Sequence, residues 1–162
     1  LAGCEIELVS TMSRERKLLN AINEVRDDYD YILIDCQPSL GLLTVNALTA
    51  AQGVVIPLEC EFFSLRGVAL LVDTIDKVKE RLNPSLEISG ILATMYDSRT
   101  VHCREVFSRV VEAFDDTVFQ TVIQRTVRFP QTTVAGQPIT TRAPTSSGAS
   151  AYRDLAKEVL AL

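Results

Sequence analysis

The chain of 162 residues is 47% hydrophobic and 23% charged, a composition that builds one domain with a sizeable core and excludes a disordered chain. No apolar run approaches the roughly 20 residues that a membrane helix needs, and the opening LAGCEIELVS is neither basic nor apolar enough for a signal peptide. The net charge of −5 weighs mildly against nucleic acid. That average hides a split: residues 1–119 carry 11 basic and 19 acidic groups, whereas residues 120–162 carry 5 and 2, so any polyanion contact is expected toward the C-terminal part or on a local patch.

Strands and helices alternate along the chain. Residues 14–27 set Leu18, Leu19, Ile22 and Val25 on one helical face. Tyr31 to Ile34 run apolar without alternation, the pattern of a strand buried on both faces, and the run ends on Asp35. A helix from about Leu42 to Ala51 is expected to stop near Gly53, which suits a C′ position. The strand VVIPL follows at 54–58. Ser64 is placed to cap a helix whose core face carries Leu65, Val68, Leu71, Val72, Ile75, Val78 and Leu82, and Asn83-Pro84 stops it. ISGILATMY, 88–96, predicts a third strand, 101–114 a helix with Val106, Val110 and Val111 inward, and VFQTVI, 118–123, a fourth strand. Residues 124–148 hold three prolines, Gly136, Gly148 and many Ser and Thr; such a segment is too long for an ordinary connection and reads as functional. A last helix, 149–161, is expected to bury Tyr152, Leu155, Ala156 and Val159. No repeat or linker divides the chain, so residues 1–162 read as a single domain.

Alternating elements with doubly buried strands predict an α/β fold, a doubly wound and mostly parallel sheet with helices on both faces and right-handed crossovers. Ligands bind such sheets beyond the carboxyl ends of the strands. Asp35, Glu59, Asp97 and the 124–148 segment all fall there. The four cysteines, Cys4, Cys36, Cys60 and Cys103, show no metal-ligand spacing. They read as reduced thiols of a cytosolic protein, at least two of them buried as small hydrophobes at strand ends. His102, the only histidine, reads as an exposed or helix-start residue rather than a catalytic one.

An apolar strand that ends in aspartate is how P-loop proteins hold magnesium, usually through a water; a strand-end aspartate also caps turns in many other α/β proteins. In CQPSLG, Pro38 restricts the backbone and Gly41 permits a hinge or a positive φ. A turn directly after a magnesium aspartate can sense a γ-phosphate and switch order. The same residues also make an ordinary βα loop with Ser39 as N-cap.

Four stretches, YDYILIDCQPSLGLLTVNALTAA, VVIPLECEFFSLRGV, ILATMYDSRT and AYRDLAKEVL, resemble the ParA/Soj chromosome- and plasmid-partition ATPases, of the deviant-Walker-A group that includes MinD. The likeness runs over essentially the whole chain and implies a P-loop fold and hydrolysis of ATP by in-line attack of water on the γ-phosphate. It also implies an ATP-dependent homodimer that holds DNA without sequence preference, a ParB-like partner that stimulates hydrolysis, a cytoplasmic, nucleoid-associated location and no membrane. The family's glycine-rich KGGVGKT-type loop does not occur here: the seven glycines are scattered. In the family that loop precedes the position matching Leu1, in a segment of roughly 90 residues that completes a domain of ordinary size. The expectation is therefore the C-terminal part of a ParA-like protein, inactive as an ATPase by itself, and the start on Leu1 points the same way.

By resemblance, Asp35 is the aspartate that orients the water shell of magnesium, and Pro38 and Gly41 belong to the second switch. Gln37 replaces the first proline of the family's usual pair. Met95 matches a residue lining the adenine pocket, with core filling as the alternative, and Gln124, Arg125 and Thr126 match backbone bordering the base. Arg99 and Arg128 match the arginines that hold DNA, by phosphate neutralisation and counterion release; on the residues alone they read as solvated surface groups, the normal fate of an arginine. Arg104, Arg125 and Arg142 are secondary candidates. ECEFFSLRG, 59–67, matches a segment near the nucleotide-dependent dimer interface, with core packing of Phe62 and Phe63 as the alternative. Two other readings are a non-catalytic ParA-like module that binds DNA or a protein, and a MinD-like P-loop ATPase with another cargo.

Overall fold

The structure, a computed structural model, describes residues 8–162 apart from the side chains of Phe62 and Phe63. It divides into two compact units, one of residues up to Val54 with Ala69–Glu87, the other of Val55–Val68 with Ile88–Leu162.

In the first unit, helix α1 (Lys17–Asn23) lies between 3-10 turns at Arg14–Arg16 and Arg26–Asp28 and packs on helix α2 (Leu42–Ala50). The single helix expected over 14–27 is thus broken at both ends. Asn46, buried on α2, joins the two: its Nδ2 donates to the carbonyls of Arg14 at 2.8 Å and Leu42 at 3.0 Å, and its Oδ1 accepts the Leu18 N–H at 3.2 Å. One buried amide so satisfies backbone groups on both sides of the contact. Asn83 does the same for the end of α2, donating to the carbonyls of Leu48 at 3.0 Å and Ala51 at 2.7 Å, two of the groups that a helix C-terminus leaves without partners. The C-cap is Ala51 in extended conformation, and Gly53 starts the next strand instead of ending the helix.

Residues 31–34 do not form the expected strand. They take no regular secondary structure and are bonded to no other strand among the described residues; Tyr31, Ile32 and Leu33 are exposed, Leu33 to 90%, and Ile34 is half-buried. An extended segment becomes a strand only when neighbouring backbone takes its N–H and C=O groups, and its side chains are buried only when something covers each face. Among the described residues no other strand does the first, and the second is met only in part, at Ile34.

In the second unit, strand β1 (Gly53–Glu59, from Val55) pairs in parallel with β2 (Glu87–Thr94, from Ile88). Strand β1 alternates, burying Ile56 and Leu58 and exposing Val55 and Pro57; among the described residues it pairs only with β2, so Pro57 costs no ladder bond there. Strand β2 is the central one: Gly90, Ile91, Leu92 and Ala93 are buried in a row. Its other side meets residues 118–124 through parallel bridges Ile91–Val118 and Tyr96–Gln124. The strand expected at 118–123 is not continuous. The N–H groups of Phe119 and Ile123 donate to Ile91 and Ala93, but those of Gln120 and Thr121 turn to the Glu158 carboxylate at 2.8 and 2.9 Å.

Helix α3 (Phe62–Arg81) buries Val68, Ile75 and Val78; Ser64 is its third residue rather than its cap. Helix α4 (Val101–Phe114) is capped by the Thr100 hydroxyl, which accepts the Cys103 N–H at 3.4 Å, and buries Cys103, Val106 and Val110. Val111 is 38% exposed, against expectation, because the buried stripe of α4 runs 103, 106, 110. The segment 124–148 contains α5 (Arg128–Ala135) and the single turn α6 (Ile139–Arg142). Gly136 ends α5 at φ 59, the left-handed C′ position that glycine favours. Helix α7 (Ser147–Val159), capped by Ser146, packs Leu155 and Val159 over Leu92, Phe119 and Ile123. Tyr152 and Ala156, expected inside, are exposed; Tyr152 stands edge-on to Phe129 at 5.9 Å. No helix among the described residues is long and apolar enough to cross a membrane.

Candidate functional site

In the first unit Asp35 is exposed directly after residues 31–34. With Lys17, Cys36, Gln37 and Leu43 it borders a cavity of about 340 Å³. The turn that follows is tight. The Ser39 N–H donates to the Gln37 carbonyl at 2.7 Å, and the Thr44 hydroxyl donates to the Ser39 carbonyl. Gly41, not Ser39, is the N-cap of α2, and at φ −82 it does not use the positive φ considered for it. Pro38 is exposed beside it. Cys36 is also exposed, and its thiol is raised above the usual range by partial burial and by the Asp35 charge. The donor chemistry fits magnesium: a single accessible carboxylate is what that ion takes from a protein when it keeps most of its waters and draws further oxygens from phosphates.

In the second unit the loop after β2 and the segment after residue 123 are bonded into one edge. The Tyr96 N–H donates to the Ile123 carbonyl at 3.1 Å, and the Arg125 N–H donates to the Tyr96 carbonyl at 3.1 Å. This edge gathers Met95, Arg99, Gln124 and Arg125, with Arg128 three residues further on at the start of α5. Met95 sits at φ 51 and is 41% exposed, so it is not a core filler, and a non-glycine residue with a left-handed backbone is uncommon enough to mark a constrained position.

The arginines of this edge differ in their partners. Arg99 forms a fork on Asp97, Nε to Oδ1 at 2.8 Å and Nη2 to Oδ2 at 2.7 Å, with its own N–H also on Oδ1 at 3.0 Å. Those bonds hold the Asp97 carboxyl down at about 2, and the Asp97 carboxylate raises the Arg99 guanidinium. Arg125 reaches Glu59 at 3.3 Å and Glu61 at 3.8 Å, joining the end of β1 to the residue after the Tyr96–Gln124 bridge. Arg104 holds the Ser98 carbonyl at 2.6 Å. Arg128 is exposed, and its guanidinium has no partner among the described residues. The pairing of Asp97 with Arg99 and of Glu61 with Arg125 is not marked by any pattern expected of the strand ends. The Asp-Ser-Arg-Thr sequence does carry a signal, an aspartate able to bond its backbone two residues on.

Cys60, just past β1, and Cys103, on α4, are buried together with Ala93 and Val106. Burial, with the adjacent Cys103 sulfur, pushes the Cys60 thiol up to about 12, the behaviour of inert core thiols. The expected pair of buried cysteines is found, though only Cys60 lies at a strand end, and Cys4 lies outside the described residues. So do the side chains of Phe62 and Phe63. His102 is exposed on the first turn of α4. No group of three or more metal-ligating side chains occurs among the described residues.

Parallel strands joined through helices, with the charged groups gathered past the strand ends, define an α/β protein of the nucleotide-binding type. Residues 1–88 match the family described as AAA domain. An uncharacterised protein of Mycobacterium tuberculosis strain H37Rv is 66% identical over 160 residues, covering 99% of this chain and 50% of that protein. The sporulation initiation inhibitor protein Soj of Bacillus subtilis is 51% identical over 161 residues, covering 99% of this chain and 64% of Soj. Among solved structures, a cobyrinic acid a,c-diamide synthase from Mycobacterium smegmatis with bound ADP and magnesium is 39% identical with a TM-score of 0.80, over 98% of this chain and 58% of that one. The Pyrococcus furiosus cell division ATPase MinD is 26% identical with a TM-score of 0.73, over 90% and 57%. The chain belongs to the ParA/Soj family of partition ATPases, within the AAA-domain group, and has part of their P-loop α/β fold. It spans 50–64% of the length of the curated relatives it matches.

Proposed function

We propose that this chain carries the part of a ParA-like partition ATPase that runs from the magnesium aspartate and second switch to the last helix. With magnesium, ATP and a phosphate loop, the whole protein dimerises and holds DNA without sequence preference. A ParB-like partner stimulates hydrolysis and so releases the DNA, in the cytoplasm at the nucleoid. Magnesium supplies charge neutralisation for the phosphates, and Asp35 is the residue that would hold it, through water. Pro38 and Gly41 form the turn beside it. Met95, Gln124 and Arg125 stand where the base is bordered, and Arg99 and Arg128 contact DNA phosphates.

What supports the DNA reading above all is the joining of the Arg99 loop and the segment leading to Arg128 by the Tyr96–Gln124 bridge, which brings the backbone before both arginines to one edge. Two arginines rooted at one edge suit a run of phosphates. The test is binding of random-sequence duplex by the full-length protein with ATP and magnesium across a salt series. Arg99→Ala and Arg128→Ala should each weaken binding and flatten the salt dependence, by about one unit of slope per lost phosphate contact. Unchanged affinity and slope in both variants would remove the assignment. The diamide synthase similarity favours a second reading, ATP-dependent amide formation; turnover that requires cobyrinic acid and ignores DNA would support it instead.

A further inference from the structure

We infer that Asp97 restrains Arg99: the aspartate competes with a DNA phosphate for the same guanidinium and so sets how strongly this edge holds DNA. The inference rests on the DNA reading of Arg99 proposed above and adds a residue to it.

The observation is that Arg99 is both exposed and already engaged. Its side chain is 87% exposed, yet two of its five N–H donors lie in a fork on one carboxylate. The carboxylate is fixed from behind. Asp97 is only 23% exposed. Its N–H donates to Cys103 Sγ at 3.3 Å, and its carbonyl accepts both the N–H and the hydroxyl of Thr100 at 3.1 Å. Arg104 pins the intervening Ser98 carbonyl. A turn held at so many points does not carry Asp97 away when a phosphate arrives. The phosphate must either displace the carboxylate or share the guanidinium with it, against like-charge repulsion.

The wider setting sharpens the point. Asp97, Glu59 and Glu61 supply three carboxylates near this edge, against Arg99 and Arg125, and Asp97 also feels the Arg125 charge. The edge is therefore not a free basic patch. Arg99 and Arg125 are paired with carboxylates of the chain, and the counterion release they contribute on DNA binding is correspondingly reduced. Arg128, with no acidic partner among the described residues, is the contrasting case.

The test uses the full-length protein with ATP and magnesium and random-sequence duplex DNA. Asp97→Asn keeps an oxygen to accept the Arg99 N–H and removes the charge. It should tighten binding two- to tenfold at low salt and steepen the salt dependence, an effect that a merely structural role would not produce. In an Arg99→Ala background the same change should do nothing. Arg99→Lys is the second variant and leaves Asp97 untouched: a lysine keeps the charge but cannot form the fork, so it should bind DNA at least as well as the parent. Weaker or unchanged binding by Asp97→Asn, with Arg99→Ala still impaired, overturns the restraint and leaves the DNA reading standing. Tightening that persists in the Arg99→Ala background also overturns it, in favour of a general charge effect. No loss in Arg99→Ala removes Arg99 from the DNA reading and the restraint with it, and no loss in Arg128→Ala as well removes the DNA reading itself.

Discussion

Asp97 and Arg99 are two residues apart, and their pairing decides the state of each. The carboxyl lies at about 2, below the ordinary 3.8, because Arg99 bonds to its charged form from both side chain and backbone. A depressed carboxyl favours the folded state wherever it is ionised. Its contribution is therefore complete above the ordinary aspartate value and is lost as the pH falls from there through about 2. The pair is expected to stay intact at all pH values above 5, so the effect of Asp97→Asn on DNA binding should not vary with pH there. In NMR titration the Asp97 side-chain carbon should show a midpoint near 2, and Arg99→Ala should move it up toward the ordinary range. An unmoved midpoint would show that Arg99 is not the cause. At this scale much was legible: an arginine on a loop past a strand end is visible in the sequence. Its partner, and hence whether its charge is available, is decided by the turn geometry.

The elements show where local pattern suffices. Helix α4 falls at 101–114 as its pattern predicts, because a capping threonine and an apolar stripe specify it locally. Residues 118–123 have strand-like composition and still do not form a continuous strand, because a glutamate from the far end of the chain takes two of their N–H groups. Nothing within 118–123 announces that. Gly90 is a similar case. A Cβ there would lie 2.2 Å from the Phe119 ring, so the central strand needs glycine for a contact made 29 positions away. Gly90→Ala is expected to destabilise the protein by about 1–3 kcal/mol, the usual cost of overpacking. Adding Phe119→Leu should recover part of that loss. Equal chemical-denaturation midpoints for Gly90→Ala and the parent would show that the ring yields freely.

For the molecule as a whole, the proposed activity needs groups beyond those in these 162 residues. Asp35 offers one carboxylate for magnesium, while backbone N–H groups of a glycine-rich loop do the phosphate binding in P-loop enzymes. No such loop occurs in this sequence. The chain by itself is therefore expected to release no phosphate from ATP with magnesium, and measurable magnesium-dependent turnover would refute that. The first unit bears on the same question. The apolar run 31–34 reads as a buried strand, yet Tyr31, Ile32 and Leu33 are exposed, since burial on both faces is a property of the neighbours and not of the run.

The sequence by itself determined the family, the α/β class, most helix positions and the residue types available past the strand ends. Those depend on periodicity, capping and ordered motifs, which act over a few residues. The tertiary structure alone decided that Met95 is exposed with a left-handed backbone. It alone showed Arg99 and Arg125 paired with acids while Arg128 has no acidic partner among the described residues. It also gave Asn46 and Glu158 the backbone groups they satisfy. Each of these is a matter of which partner satisfies a charge or a hydrogen bond, and for the pairs distant in sequence that partner is set by packing rather than by local pattern.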